Sequence, residues 1–487
     1  MIVLLLSLPM ACQNGSRLTE SNVTLDTFSF DLADIDLEQI KERGKLTAIL
    51  NNSSTSYFIY RGQPMGYEYE LLTRLAESLG VQLAIKVTNS MEEAYQMLEH
   101  GDADLIAFNM TVTASRRERV SFTEHHHEVR QVLVQRQPDQ WHRMKRHRLE
   151  EMLIRNALEL EGKTVHVPRH SAYAGRLVNL AEEIGGEINI IEEELDTETL
   201  ISMVAEGEID YTVADENVAR VNANYYPSVD IRTPVSLVQR VAWATRPNAP
   251  ELLAAVNDWI RDTKNSTDYN MIYRKYFHSP KTMLHRVRSD YSSIGGEYIS
   301  PYDDLLRQHA VTLGWDWRLL AAQVYQESKF DAEAKSWAGA EGLMQLLPST
   351  GEMYGVTNML SPTQSLRAGT AYLLWLDKLW TKYVPDAEER RKFVLASYNA
   401  GQGHVLDARR LADKYGEDPA RWEDVAKFLL RLAEPEYYGD PVVRSGYCRG
   451  SEPVKYVREI LQRYDSYRHL VDEGVIMASA GEGVANG

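Results

Sequence analysis

QESKFDAEAKSWAGAEGLMQ, residues 326 to 345, decides how the second half of this chain is read. Leu320 and Val324 recur just upstream at helical spacing, and Glu327 takes the next place on that apolar stripe. A carboxylate facing a core is costly unless something uses it. Ala332, Ala334, Ala338, Gly339, Ala340 and Gly342 follow, a run of small residues that lets another chain approach closely. The pattern predicts a helix ending at an embedded acid, with a loop stripped of bulk beside it. From Tyr302 to about Leu470 the chain reads as helices only, broken at Gly and Pro.

The first half has another texture. KLTAIL, VQLAIKV, ADLIAFNM, KTVHVP, INIIEEE and IDYTVAD read as strands. YEYELLTRLAESLG, MEEAYQMLEHG, AYAGRLVNLAEEIG and ETLISMVAEGE read as the helices between them. Such alternation predicts parallel sheets covered by helices. The expected organisation is a signal-like segment over 1–12, a polar segment over 13–43 and an α/β domain over 44–278. A linker over 279–298, an all-α domain over 299–470 and a disordered tail over 471–487 complete it. A chain of 487 residues needs more than one core.

The formal charge of -17, without a long Lys/Arg block, argues against a nucleic-acid partner. Cys12 and Cys448 are the only cysteines, which excludes a disulfide framework and a multi-cysteine zinc site. His125, His126 and His127 are adjacent, and with no spaced carboxylate set to complete a site they read as exposed and not as metal ligands. No cofactor is expected. MIVLLLSLPMACQNG begins with an apolar run too short to span a bilayer, which suits an export signal. Ala11-Cys12 resembles the end of a bacterial lipoprotein signal, so Cys12 is a lipidation candidate, with an incidental cysteine as the alternative. The expectation is an exported protein attached to the periplasmic face of the outer membrane.

GQPMGYEYELLTRLAESLG and HGDADLIAFNMTVTASRRERVSF resemble the periplasmic amino-acid-binding family over roughly Gly44 to Phe277. The resemblance implies two α/β lobes with ligand between them. Arg116, in the family's T-x-x-R segment, then forks onto a ligand carboxylate, as a planar guanidinium can. Asn109 and Thr111 share a strand face with Thr113 and add polar contacts. IDYTVADENVA matches the segment whose aspartate meets the ligand ammonium, here Asp215. Ser171 falls where the family places a hydroxyl, and Tyr57 is a candidate aromatic wall. The implied ligand is an amino acid or a stem-peptide fragment of the cell wall.

Glu327-Ser328, Ser336, Gly339 to Gln345 and Pro348-Ser349-Thr350 resemble the soluble-lytic-transglycosylase family, with a goose-type lysozyme-like α fold. Ser397-Tyr398-Asn399-Ala400-Gly401 matches that family's AYNAG motif, with Ser for the first Ala. Pro453-Val454-Lys455-Tyr456-Val457 matches its closing tyrosine segment. The resemblance implies that peptidoglycan glycan strands are cut by one glutamate, Glu327, acting first as acid and then as base. Ser328, Ser336, Met344, Gln345, Tyr398, Asn399 and Tyr456 become substrate contacts, and Tyr456 a partner that orients Glu327. Asp331, one turn on, reads as a cap or surface residue and not as a second catalytic acid. Together the halves resemble membrane-bound lytic murein transglycosylases. A muramidase-type hydrolase using the same glutamate and a non-catalytic wall-fragment receptor are the alternatives.

Overall fold

The computed structural model describes residues 32–471, apart from 109, 279–285, 287–288 and 295–297. Cys12, Asn109, most of the linker and all but the first residue of the tail therefore lie outside the described residues. Strands β1 to β7 are Lys45–Leu50, Phe58–Tyr60, Gln63–Met65, Gln82–Val87, Leu105–Ile106, Ser121–Phe122 and His127–Val129. Strands β8 to β14 are Gln131–Arg136, Thr164–Pro168, Asn189–Glu193, Tyr211–Asp215, Val229–Pro234, Gln239–Val241 and Ala244–Thr245.

Two lobes form the first half. The first carries a sheet of order β4-β1-β5-β14-β6, and the second a sheet of order β10-β9-β11-β8-β12. Residues Leu46 to Leu50 of β1 are all buried, as in a strand covered by helices on both faces. The sheets are mixed, not all-parallel as the alternation suggested. The chain crosses between lobes on β7 and returns on β13, and these two pair antiparallel as a ribbon. After the first crossing β8 enters the second lobe antiparallel to β11 and β12. After the second, β14 runs antiparallel to β5 and β6. A strand delivered by a crossing arrives in the opposite sense to those delivered by helices.

One further reading is corrected, and two segments gain detail. His126 and His127 are buried at the root of the crossing ribbon, not exposed. Their rings lie 4.6 Å apart, and the His126 ring is 5.3 Å from that of Trp243. Burial pushes both imidazoles down to about 3, so they are neutral. Within the polar segment over 13–43, Leu37–Glu42 is a helix that buries Ile40. Asp36 caps it and also accepts the amides of Glu251 and Leu252. The described part of the linker packs on the first lobe. Arg61 donates its amide to Tyr291 (2.8 Å) and Ser293 donates to Ile59 (2.9 Å), so the segment runs along β2.

The second half is helical, built around the helix Trp317–Ser328. Trp317, Leu319, Leu320, Ala321, Ala322 and Val324 are all buried, so this helix is the centre of its domain. The last helix, Ser451–Leu470, packs along it and then continues onto β2 and β4 of the first lobe. The β2–β3 hairpin reaches the other way. Its tip, Arg61-Gly62, has positive φ at both residues (48° and 75°). Ile59 joins the helical core. A Cβ on Gly62 would lie 2.6 Å from the Phe330 ring and 2.8 Å from that of Tyr325, so only glycine fits there.

Candidate active site and ligand cleft

Glu327 sits in the last turn of the central helix. The chain then leaves sharply: Lys329 and Phe330 both have positive φ, 54° and 64°, without glycine. Burial raises the Glu327 carboxyl to about 7, and the Tyr456 hydroxyl, which donates to Oε1, partly offsets this. A helix C-terminus also disfavours negative charge. About half of the acid is therefore still protonated near neutral pH, where a solvated carboxyl would be almost wholly ionised. Asp331 is exposed and accepts the amide of Glu333 (2.9 Å), a turn cap as read from sequence.

The other motif residues surround this acid unequally. Tyr456 is buried on the last helix and touches Glu327. Tyr398, half-buried, donates its hydroxyl to the carbonyl of Met344 (2.8 Å), and Glu327 acts on it electrostatically. Its ring lies 5.2 Å from Tyr372, a neighbour the motifs did not single out. Asn399 is exposed beside it. Ser336 accepts the amide of Ala340 (2.9 Å), which leaves its hydroxyl proton to donate.

Three of the sequence candidates have their side chains turned into the loop. Ser328 is buried and donates to the carbonyl of Leu343 (3.0 Å), so its hydroxyl ties the helix end to the loop. The Met344 side chain is fully buried against Gly369. Gln345 spends its amide hydrogens on the carbonyls of Ala334 (3.0 Å) and Gly342 (2.9 Å). These residues build the loop instead of facing a substrate with their donors. The loop backbone pairs within itself, Gly342 donating to Ala334 and Ser336 to Ala340 (both 2.9 Å), and Ser328, Gln345 and Ser365, whose Oγ accepts the amide of Met344 (3.1 Å), satisfy further backbone groups.

A polar seam joins the acid's helix to the last helix. Gln323 donates to the Tyr456 hydroxyl (3.3 Å), Gln326 donates to Glu459 (2.9 Å), and Arg463 donates to Gln326 (2.9 Å). Gln323 lay unmarked in the sequence because its position on the stripe looks like core.

In the cleft between the lobes, Arg116 donates to the carbonyl of Thr111 (3.0 Å) and across to that of His170 (3.4 Å). Thr111 is buried and contributes through its backbone. Asp215 is 1% exposed at the end of β11. Burial pushes its carboxyl up to about 7, against the pull of Arg116 and a hydrogen bond with Tyr173, a partner not foreseen. The Ser171 hydroxyl is buried with no protein partner among the described residues. A cavity of about 750 Å³ opens beside it, lined by Tyr95, Thr113, Arg116, Ser171 and Arg176. On the far side Ser54 donates its hydroxyl (2.7 Å) and amide (3.1 Å) to Glu198 of the second lobe. Arg116, Ser171 and Asp215 are thus brought together.

Tyr57 is not. It is fully buried against Tyr69, with ring centroids 5.2 Å apart, and its hydroxyl faces Ser466 of the last helix. The last helix covers the side of the lobe where Tyr57 emerges, so the ring serves the junction and not the cleft.

Comparison with known proteins accounts for both halves. Residues 46–279 match the family of bacterial extracellular solute-binding proteins, family 3, and residues 304–420 match the transglycosylase SLT domain. The chain is 36% identical over 430 residues to membrane-bound lytic murein transglycosylase F of Desulfosudis oleivorans, covering 88% of this chain and 91% of that one. This chain belongs to the membrane-bound lytic murein transglycosylase F family. The relative of the same name from Aeromonas hydrophila is 33% identical over 446 residues, covering 90% of this chain and 85% of that one. Among solved structures, ArgBP from T. maritima aligns with 50% of this chain and all of its own, at 23% identity and a TM-score of 0.42. Among the described residues, no helix is long and apolar enough to cross a membrane and no cluster of metal-ligating side chains occurs.

Proposed function

We infer that this chain is a peptidoglycan lytic transglycosylase. The observation that carries the reading is one buried glutamate, Glu327, whose carboxyl burial raises to about 7, held by Tyr456 and faced by no partner carboxylate among the described residues. Most glycosidases need two carboxylates, one of which activates water or attacks carbon. With one, the same group acts twice. Glu327 donates its proton to the glycosidic oxygen between N-acetylmuramic acid and N-acetylglucosamine, and the C1–O bond breaks. The resulting carboxylate takes the proton of the muramic C6 hydroxyl, whose oxygen closes on C1. The product is a 1,6-anhydro end, no water is consumed, and Glu327 is protonated again. Tyr398 beside the acid, exposed Asn399 next to it in the chain, and Ser336 on the loop are the glycan contacts in this reading. Membership of the family favours it over a muramidase, which would use water, and over a non-catalytic receptor. Mass analysis of products from purified sacculi tests it: anhydro ends are expected, and reducible muramic ends would move the protein to the hydrolases.

The first half is a ligand-binding domain in this reading, taking an amino acid or a stem-peptide fragment. Arg116 and Ser171 receive the carboxylate and Asp215 the ammonium. Ligand adjusts the lyase through the segment 51–57. Ser54 meets Glu198 at the cleft, while Tyr57, three residues on, lies under the last helix, which carries Tyr456. A ligand shifts the lyase only if it binds the two states unequally, with couplings typically of ~1–3 kcal/mol. Titration with amino acids and stem peptides, reading binding and glycan turnover in wild type and Arg116→Ala, decides it. Turnover indifferent to a ligand that binds would make the domain a tether.

The protein is membrane-attached in the periplasm, at the outer membrane, with acylated Cys12 as the anchor. Labelled palmitate is expected in wild type and not in Cys12→Ser; label in neither would assign attachment to another cause.

A further inference from the structure

Gln323 is fully buried on the central helix, one turn before Glu327, within a shell of Leu, Ala and Val side chains. Its Nε2 donates to the Tyr456 hydroxyl at 3.3 Å, while its Oε1 has no partner among the described residues. An orphaned amide oxygen in a core is a standing cost that methionine, with similar volume and no polar atom, would not incur. A packing role therefore does not account for this residue. Its contact with Tyr456 does.

A phenolic hydroxyl has one proton to give and lone pairs to receive. Tyr456 can donate to a Glu327 carboxylate, or turn round and accept from a Glu327 carboxylic acid. The second arrangement ties up the proton that must reach the glycosidic oxygen. An N–H arriving from Gln323 occupies the accepting side of Tyr456 and aims its proton at Glu327 Oε1, the arrangement in the structure. We propose that Gln323 is a positioning residue for the lyase reaction: it fixes the direction of the Tyr456–Glu327 hydrogen bond, keeping the acid's proton free for the substrate and stabilising the carboxylate formed when it leaves. The proposal rests on Glu327 being the acid.

The groups facing Glu327 are few. Tyr456 comes from the last helix and Tyr398 from the helix Ala387–Ala400, while Arg463 and Glu459 engage Gln326 instead. Loss of Gln323 therefore reaches Glu327 through Tyr456. Without the fixed donor, the carboxylate is less stabilised and the acid holds its proton to higher pH.

The test is the pH dependence of sacculus solubilisation by the full chain carrying Gln323→Met, alone and combined with Tyr456→Phe. In the wild-type background Gln323→Met is expected to lower kcat about 3- to 10-fold with KM unchanged, the loss of one directed hydrogen bond. The alkaline limb of the profile should move up by about 0.5 to 1 pH unit. In the Tyr456→Phe background the same substitution should leave the limb where Tyr456→Phe alone puts it. An unmoved limb in the first case, or an equal shift in both, overturns the proposal. Should Gln323→Met not fold, Gln323→Leu is read the same way. An inactive wild type with anhydro products absent would instead count against Glu327 as a lyase acid, a distinct failure.

Discussion

Tyr467 donates its hydroxyl to the carbonyl of Gly62 across 2.6 Å, joining the last helix to the hairpin of the first lobe. Tyr325, two residues before Glu327, packs at the same point. The two halves of the chain therefore meet at the end of the helix that carries Glu327, not at a remote surface.

Gly62→Val should open this junction. Its φ of 75° disfavours any β-branched residue, and the new Cβ would overlap Phe330, Tyr325 and the Tyr467 hydroxyl. A destabilisation of at least ~2 kcal/mol is expected. Calorimetry should then resolve separate transitions for the two halves, and a single unshifted transition would show the contact to be dispensable.

Glu327→Gln should abolish turnover while leaving glycan binding intact, because an amide supplies no proton. Activity above about 1% of wild type, read as soluble anhydro-muropeptides, would exclude Glu327 as the acid.

The same substitution has a stability signature. The folded carboxyl titrates near 7 against 4.5 when solvated, so folding favours its protonated form. Stability from this group is complete below pH 4.5, declines as pH rises, and by pH 8 the buried charge costs up to roughly 3 kcal/mol. Glu327→Gln should therefore raise Tm at pH 8 and change it little at pH 4.5. An equal effect at both pH values would mean the carboxyl is not shifted.

Ligand binding is expected to depend on pH through Asp215, the ammonium partner in the proposed reading. Without ligand its carboxyl titrates near 7, and it must be ionised to hold an ammonium group. Affinity for an amino acid or stem peptide should fall as pH drops below 7, and binding at pH 6 should release a proton. Titration calorimetry in buffers of different ionisation enthalpy measures this. Proton uptake, or none, would place the ammonium elsewhere.

Much of this was legible in the residues. KLTAIL and β1 coincide, and the stripe through Leu320 and Val324 led directly to Glu327 in a buried setting. Local periodicity and motif spacing are properties of neighbouring residues, and a linear reading recovers them. Arg116, Ser171 and Asp215 were likewise found on matching segments, and the fold brings them to one cleft.

What the sequence could not say was which way side chains turn once distant segments meet. Ser328, Met344 and Gln345 sit in a motif that reads as substrate-facing, yet the Ser328 and Gln345 donors are turned to loop carbonyls and the Met344 side chain is buried. Tyr57 looked like a cleft wall until the last helix, some 400 residues on, claimed its hydroxyl's side of the lobe. His126 and His127 are polar in any local reading and become buried because the chain crosses between lobes beside them. Period marked out many of the elements and placed the Glu327 carboxyl on an apolar stripe. Burial and hydrogen-bond partnership, which depend on contacts between residues far apart in the chain, were decided only by the tertiary structure.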